Sequence, residues 1–156
     1  MDETYIEVKG EWKYLYRAVD SEGNTLDFML SAKRDGKAAA RFFRKVLAAK
    51  HTQVPRVITV DKNAAYPVAV DELKEDKTLK AETELRQSKY LNNVIEQDHR
   101  NVKRIVRPMM GFQSFNTARR ALRGIEAMTM IRKDKSKESV EGTVYLKRDS
   151  STKSLE

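Results

Sequence analysis

Four β-branched residues stand in a row at residues 57–60, Val-Ile-Thr-Val, and the run ends directly at Asp61. Such a run predicts a buried strand. An acid that follows it sits at the strand's carboxyl end, where open α/β sheets place their active sites. Asp61 is therefore better placed for chemistry than most other acids of the chain. Lys62, Asn63 and Tyr66 follow in the turn from this strand into the next helix. They are within reach of anything bound there, although Asn63 can equally serve only as a helix N-cap.

The surrounding pattern supplies the rest of an α/β fold. Thr4, Ile6 and Val8 alternate with Tyr5, Glu7 and Lys9, and residues 12–19 are rich in aromatic and β-branched types. Both segments read as strands, joined through Gly10-Glu11 as a two-residue II′ turn. Residues 20–24 form a turn cluster, and Leu26, Phe28 and Leu30 alternate as a third antiparallel strand. Asp35 can cap a helix whose Ala39, Phe42, Phe43, Val46 and Leu47 repeat at helical spacing. After the strand at residues 57–60 come a helix near residues 64–74, a short strand near 83–87, and helices near 94–107 and 117–132. The order β-β-β-α-β-α-β-α-α predicts one mixed sheet, an antiparallel meander continued by βαβ units and flanked by helices. Residues 1–133 form one domain on this reading. Residues 134–156 are a Ser-, Lys- and Glu-rich tail of uncertain order, in which only residues 143–146 resemble a strand.

With 156 residues, 40% hydrophobic and 35% charged, the chain is long enough for one well-filled core. It has no stretch of about 18 apolar residues, no signal peptide and no cysteine, so a membrane span, disulfides and thiolate metal sites are excluded and a cytoplasmic location is expected. The net charge of +8 is localised. Residues 100–133 hold nine bases (Arg100, Lys103, Arg104, Arg107, Arg119, Arg120, Arg123, Arg132, Lys133) against one acid, Glu126, so this segment alone accounts for the whole excess. A solvated helical face would mix signs. A one-sided segment points to a polyanion, and nucleic acid is the expected partner.

On the wheel of the helix near residues 94–107, Leu91, Val94, Ile95, Val102 and Ile105 form the inward face. Glu96, Lys103 and Arg107 line one border of it, with Asn92 and His99 between them and the core. A carboxylate there can bind metal while a lysine reaches phosphate. Asn93-x-x-Glu96 is also a capping box, which leaves Glu96 open between the two roles. Asp98 projects from the apolar face and is expected to bond a structural partner. His99 has no second histidine or cysteine at ligand spacing, so a structural or phosphate-contacting role is expected rather than zinc. Asp2 shares the parity of Thr4, Ile6 and Val8, the one local hint against a merely solvated terminal acid. Neither a P-loop nor a G-x-G-x-x-G pattern occurs, which disfavours a nucleotide cofactor.

Asp2 in DETYI, Asp61 in VDKNAAY and Glu96 in YLNNVIEQDHR, with 34 residues between the last two and Lys103 seven after the glutamate, resemble the DDE transposases of bacterial insertion sequences. The small replicative, cointegrate-forming type looks nearest. WKYLYRAVDSEGNTLDFMLSAKRD and GFQSFNTARRALRGIEAM extend the similarity over about residues 2–133. The resemblance implies a ribonuclease-H-like fold with Asp2 on the first strand, Asp61 after the fourth and Glu96 on a later helix. It also implies two Mg²⁺ ions, replaceable by Mn²⁺, held by Asp2, Asp61 and Glu96, with Asp61 bridging. Two metals about 3.5–4 Å apart suit in-line displacement at a phosphodiester. Water would free a 3′-hydroxyl at the element's end, which would then attack target DNA. Lys103 would hold phosphate near the scissile bond, and Arg100, Arg104, Arg107, Arg119, Arg120, Arg123, Lys62 and Tyr66 would contact DNA. The implied partners are transposon ends and target duplex, met by a homodimer or higher assembly near the nucleoid.

Such transposases ordinarily carry an amino-terminal DNA-binding region, whereas here only Met1 precedes Asp2. The expectation is a catalytic-domain fragment or a natural truncation, with a first strand that frays at its catalytic residue and an α-amino group competing with metal. It would bind DNA without selecting ends and cleave poorly. Two other readings compete: a catalytically silent DNA-binding or dimerisation remnant, and a structure-selective nuclease of the same fold. Metal-dependent nicking separates the remnant from the enzymes, and strand joining separates transposase from nuclease.

Overall fold

The computed structural model describes residues 1–50, 52–88, 93–109 and 111–152, and for residues 2, 93–96, 98 and 134–152 the backbone alone. The chain divides into two compact units, Met1–Arg119 and Arg120–Glu156. The first opens with an antiparallel meander of β1 (Asp2–Val8), β2 (Glu11–Val19) and β3 (Thr25–Ser31). Val8 pairs with Glu11, so the first turn consists of Lys9 and Gly10, with φ of 53° and 74°. Two positive φ values make a type I′ turn, one residue earlier than the expected II′ turn at Gly10-Glu11. Its twist matches that of the flanking strands. At the second turn Asp20 Oδ1 accepts from the Glu22 and Asn24 amides at 2.9 and 2.8 Å. This is an Asx arrangement that needs the short carboxylate.

Helix α1 (Gly36–Ala48) starts where expected, its Ala38 amide donating to Asp35 Oδ1 at 2.8 Å. Ala39, Phe42, Phe43 and Val46 of α1 pack with Tyr16 and Ala18 of β2 into the main core, which also takes in Ile58 and Val60 of β4 (Val57–Val60). Tyr66, Ala69, Val70 and Leu73 of α2 (Ala65–Glu75) complete it. Helix α2 crosses over to β5 (Glu84–Gln87), which pairs with β4 in parallel. On the other face of the meander, Ile6, Val8 and Leu15 are buried, and α3 (Asn93–Val106) packs against β1 and β2. The chain then makes a 3₁₀ turn at Arg107–Met109 and returns to β1, where the Phe112 amide donates to the Glu7 carbonyl at 3.1 Å and the Lys9 amide to the Phe112 carbonyl at 2.7 Å.

Three expectations are corrected. The single mixed sheet is two sheets among the described residues, β1-β2-β3 and β4-β5. Strand β4 is only four residues long, and Met1 N, donating to the Thr59 carbonyl at 2.6 Å, links it to the chain entering β1. The inward stripe of α3 runs through His99, Val102 and Val106, all buried, while Ile105 is 37% exposed. Leu91 and Asn92, and the side chains of Val94 and Ile95, lie outside the described residues. Helix α4 (Phe115–Thr152) runs well past residue 132 and includes residues 143–146, which resemble a strand only in isolation. The Lys- and Glu-rich composition favours helix.

Nothing lies within 4 Å of a Cβ built on Gly10, so a side chain there meets only the backbone penalty of φ +74°. Gly10→Ala is expected to lower unfolding free energy by about 1–2 kcal/mol with an unchanged denaturant slope. A midpoint equal to the parent's in urea would refute the type I′ assignment.

Candidate active site

Two contacts bracket Asp2 and Asp61. Met1 N reaches the Thr59 carbonyl at 2.6 Å, and Glu3 Oε1 accepts from Asn63 Nδ2 at 2.9 Å. Residue 1 is thus tied to residue 59 and residue 3 to residue 63, so the backbone places Asp2 alongside Asp61 where β4 ends. Asp2 itself is paired in register with Arg17 of β2, a fully buried residue. The first residues of β1 pair with β2 on one side, and on the other Met1 N donates to the Thr59 carbonyl.

Asp61 is half-buried, and its Oδ1 accepts from the Lys62 amide at 2.7 Å. Gln87 Nε2 at the end of β5 donates to the Asp61 and Asn63 carbonyls at 3.3 and 3.2 Å, which fixes the backbone of this corner from the far side. Asn63 Oδ1 accepts from the Ala65 amide at 3.0 Å, so Asn63 both turns the chain into α2 and holds Glu3.

Glu3 is the residue that sequence reasoning missed. Its side chain is 2% exposed. It receives Arg34 Nε at 2.7 Å, Asn63 Nδ2 at 2.9 Å and the Tyr66 hydroxyl. Tyr66 was expected on DNA, but it is fully buried, its ring edge-on to Phe43, and it serves the core and Glu3 instead. Strand parity puts Glu3 with Tyr5 and Glu7, and parity alone cannot tell a solvent face from one packed against α1 and reached by Tyr66 of α2. Tyr16, on the same face, has its hydroxyl pushed up to about 12 by burial and by the carboxylates of Glu3 and Asp35.

Glu96 lies on α3, and the side chains of Asp2, Glu96 and Asp98 fall outside the described residues. Lys103, Arg100, Arg104 and Arg107 are exposed, as are Arg119, Arg120, Arg123 and Lys62. Glu126, the one acid of the basic segment, is buried, so the solvent side of residues 100–133 carries only positive charge. His99 is buried and its imidazole pKa falls to about 3, chiefly through desolvation and further through Arg17 and Lys103. A neutral, buried histidine matches the structural role. No group of three His, Cys, Asp or Glu at metal-binding spacing occurs among the described residues. The residues present nevertheless fit a hard cation: the backbone sets Asp2 beside Asp61, and an all-carboxylate oxygen donor set suits Mg²⁺ or Mn²⁺.

Glu3→Gln and Tyr66→Phe are each expected to cost about 1–3 kcal/mol, since each leaves buried polar partners unmatched. The double variant should fall short of the sum by at least about 0.5 kcal/mol. Strict additivity in denaturant titrations would deny the contact. His99 yields a pH prediction. Its folded pKa lies below the unfolded value of 6.5, so the unfolded chain takes up the proton first and stability falls as pH drops from about 6.5 towards 3. His99→Gln is expected to flatten that part of the stability profile, and a variant with the parent's pH dependence would contradict it.

Comparison with known proteins places the chain. A family described as a DDE domain matches residues 1–135. The transposase for insertion sequence-like element IS431mec of Staphylococcus aureus (strain Mu50) is 42% identical over 133 residues, covering 85% of this chain and 57% of that protein. The transposase for insertion sequence element IS257 in transposon Tn4003 of Staphylococcus aureus matches to the same extent. An uncharacterized protein, pYV0051, of Yersinia pseudotuberculosis is 40% identical over 74 residues, 47% of this chain and 69% of its own length. The chain therefore spans about 57% of the length of its curated transposase relatives. No solved structure matches it. The chain belongs to the DDE-domain family of insertion-sequence transposases.

Proposed function

We propose that this chain carries the catalytic domain of an insertion-sequence transposase, of ribonuclease-H-like fold, that cuts and joins DNA strands with Mg²⁺. The observation that carries the reading is the pair of contacts, Met1 to Thr59 and Glu3 to Asn63, that bracket Asp2 and Asp61 at the end of β4. Two acids far apart in sequence become neighbours along the backbone. That is the preorganisation a metal-assisted phosphoryl site needs.

Asp2, Asp61 and Glu96 would hold two Mg²⁺ ions. When bound, the metal supplies charge that stabilises the attacking and leaving oxygens of an in-line displacement. The chain's own part is positional. Gln87 and Asn63 fix the corner that carries Asp61, and the Glu3 contacts hold β1 against it. Lys103 and Arg100, exposed on α3, would take phosphates of the bound strand. Arg104, Arg107, Arg119, Arg120, Arg123 and Lys62 add sequence-independent affinity. The substrates would be element ends and target duplex, acted on by a homodimer or larger assembly at the nucleoid. No helix among the described residues is long and apolar enough to cross a membrane.

Asp61→Asn and Glu96→Gln each remove a negative ligand at constant size. Each is expected to reduce Mg²⁺-dependent nicking by more than the roughly 100-fold that loss of an outer-shell partner costs. DNA affinity in chelator and the melting profile should stay at the parent's values. Either variant nicking at the parental rate would remove that residue from the site. A protein that nicks but never joins a 3′-hydroxyl to a second duplex would be a nuclease of this fold.

A further inference from the structure

A groove of about 1310 Å³ runs between β1 and α3, bordered on one side by Tyr5 and Trp12 and on the other by Arg100, Lys103, Arg104 and Arg107. Pockets for small molecules are about 300–1,000 Å³, so this one has room for a segment of chain. Its charge is one-sided: four cations against one acid, Glu7. None of the four has a carboxylate partner among the described residues.

Trp12 is 62% exposed, the largest exposure among the exposed hydrophobic side chains of the described residues. The exposed indole and the cations of this groove offer an aromatic face and positive charge side by side. The indole's surroundings are already fixed. Tyr5 meets Trp12 edge-on at 6.4 Å and Tyr14 at 5.4 Å, while Arg34 lies 5.8 Å over the Tyr5 ring and donates to its hydroxyl at 3.0 Å. Little side-chain order would be lost on binding.

We propose that this groove binds an unpaired stretch of a DNA strand, with a base stacked on Trp12 and its phosphates on Arg100, Arg104 and Arg107. Paired bases keep their faces inside the duplex, so cations alone serve duplex DNA, whereas an aromatic platform beside cations serves single strands. This deepens the function proposed above by assigning a subsite for a strand that has left its duplex. It rests on that reading only for the identity of the polyanion.

Trp12 is the single tryptophan of the chain, so its emission reports this groove alone. The test titrates the full chain, in chelator, with oligothymidylate, with a blunt duplex and with heparin, a polyanion without bases. Oligothymidylate is expected to quench Trp12 strongly, and heparin to bind without comparable quenching. Trp12→Ala should weaken oligothymidylate binding about tenfold and leave blunt-duplex binding unchanged, whereas Arg104→Gln should weaken both and lower the salt dependence of each. Trp12→Phe should retain most of the single-strand affinity. Equal quenching by heparin, or unchanged oligothymidylate affinity in Trp12→Ala, would overturn the proposal. So would an emission shift that follows protein concentration without DNA, because it would put a second copy on this face. Chelator makes the titration blind to catalysis, and the Asp61→Asn nicking assay does not read Trp12, so the two readings fail separately.

Discussion

One carboxylate ties four segments of the first unit together. Glu3 on β1 accepts from Arg34 in the β3–α1 connection, from Asn63 in the β4–α2 connection, and from Tyr66 on α2. A carboxylate with a side chain only 2% exposed is tolerable because a guanidinium and two neutral donors replace the water it lost. The dependence is mutual. Tyr66 is a core residue whose hydroxyl needs an acceptor, and Asn63 can turn the chain into α2 while its amide nitrogen is free to reach β1. The two described sheets do not share a backbone ladder beyond the Met1 to Thr59 contact. Side-chain hydrogen bonds therefore do the work that strand pairing would otherwise do between β1 and β4.

Most of the local structure could be read in the sequence because local rules decide it. The β-branched run at residues 57–60, the Asp35 cap and the Asp20 turn each follow from what a few neighbouring residues can do. The errors share a different cause. The Gly10 turn shifted by one residue because the pairing of Val8 with Glu11, a cross-strand fact, sets which two residues are left over. Ile105 and Val106 exchanged places because an α-helix with apolar residues on adjacent positions can roll, and the β1–β2 surface selects the roll. Glu3 was missed because alternation along β1 marks two faces without saying which side chains meet water, and Tyr66 was misread because a position just after β4 does not say which side of α2 meets the core. That Asp61 follows a strand was legible from the run before it. The contacts that tie the start of β1 to that corner were not, since they join residues about 60 apart.

The charge distribution bears on the function proposed above. Carboxylates gathered to hold a cation would repel one another, and they would repel the phosphates of a DNA substrate. A neutral remainder of the chain could not offset this. The excess of +8 lies instead in residues 100–133, where the lone acid is buried and the bases Arg100, Lys103, Arg104 and Arg107 face solvent on or next to α3, the helix that carries Glu96. In the function proposed above, attraction for DNA and the ligands for metal would be carried by different side chains. Affinity for DNA would then not require metal, so a strand could be held before the cation that activates its phosphodiester arrives, and the buried His99, kept neutral by desolvation, would add no charge of its own to either group.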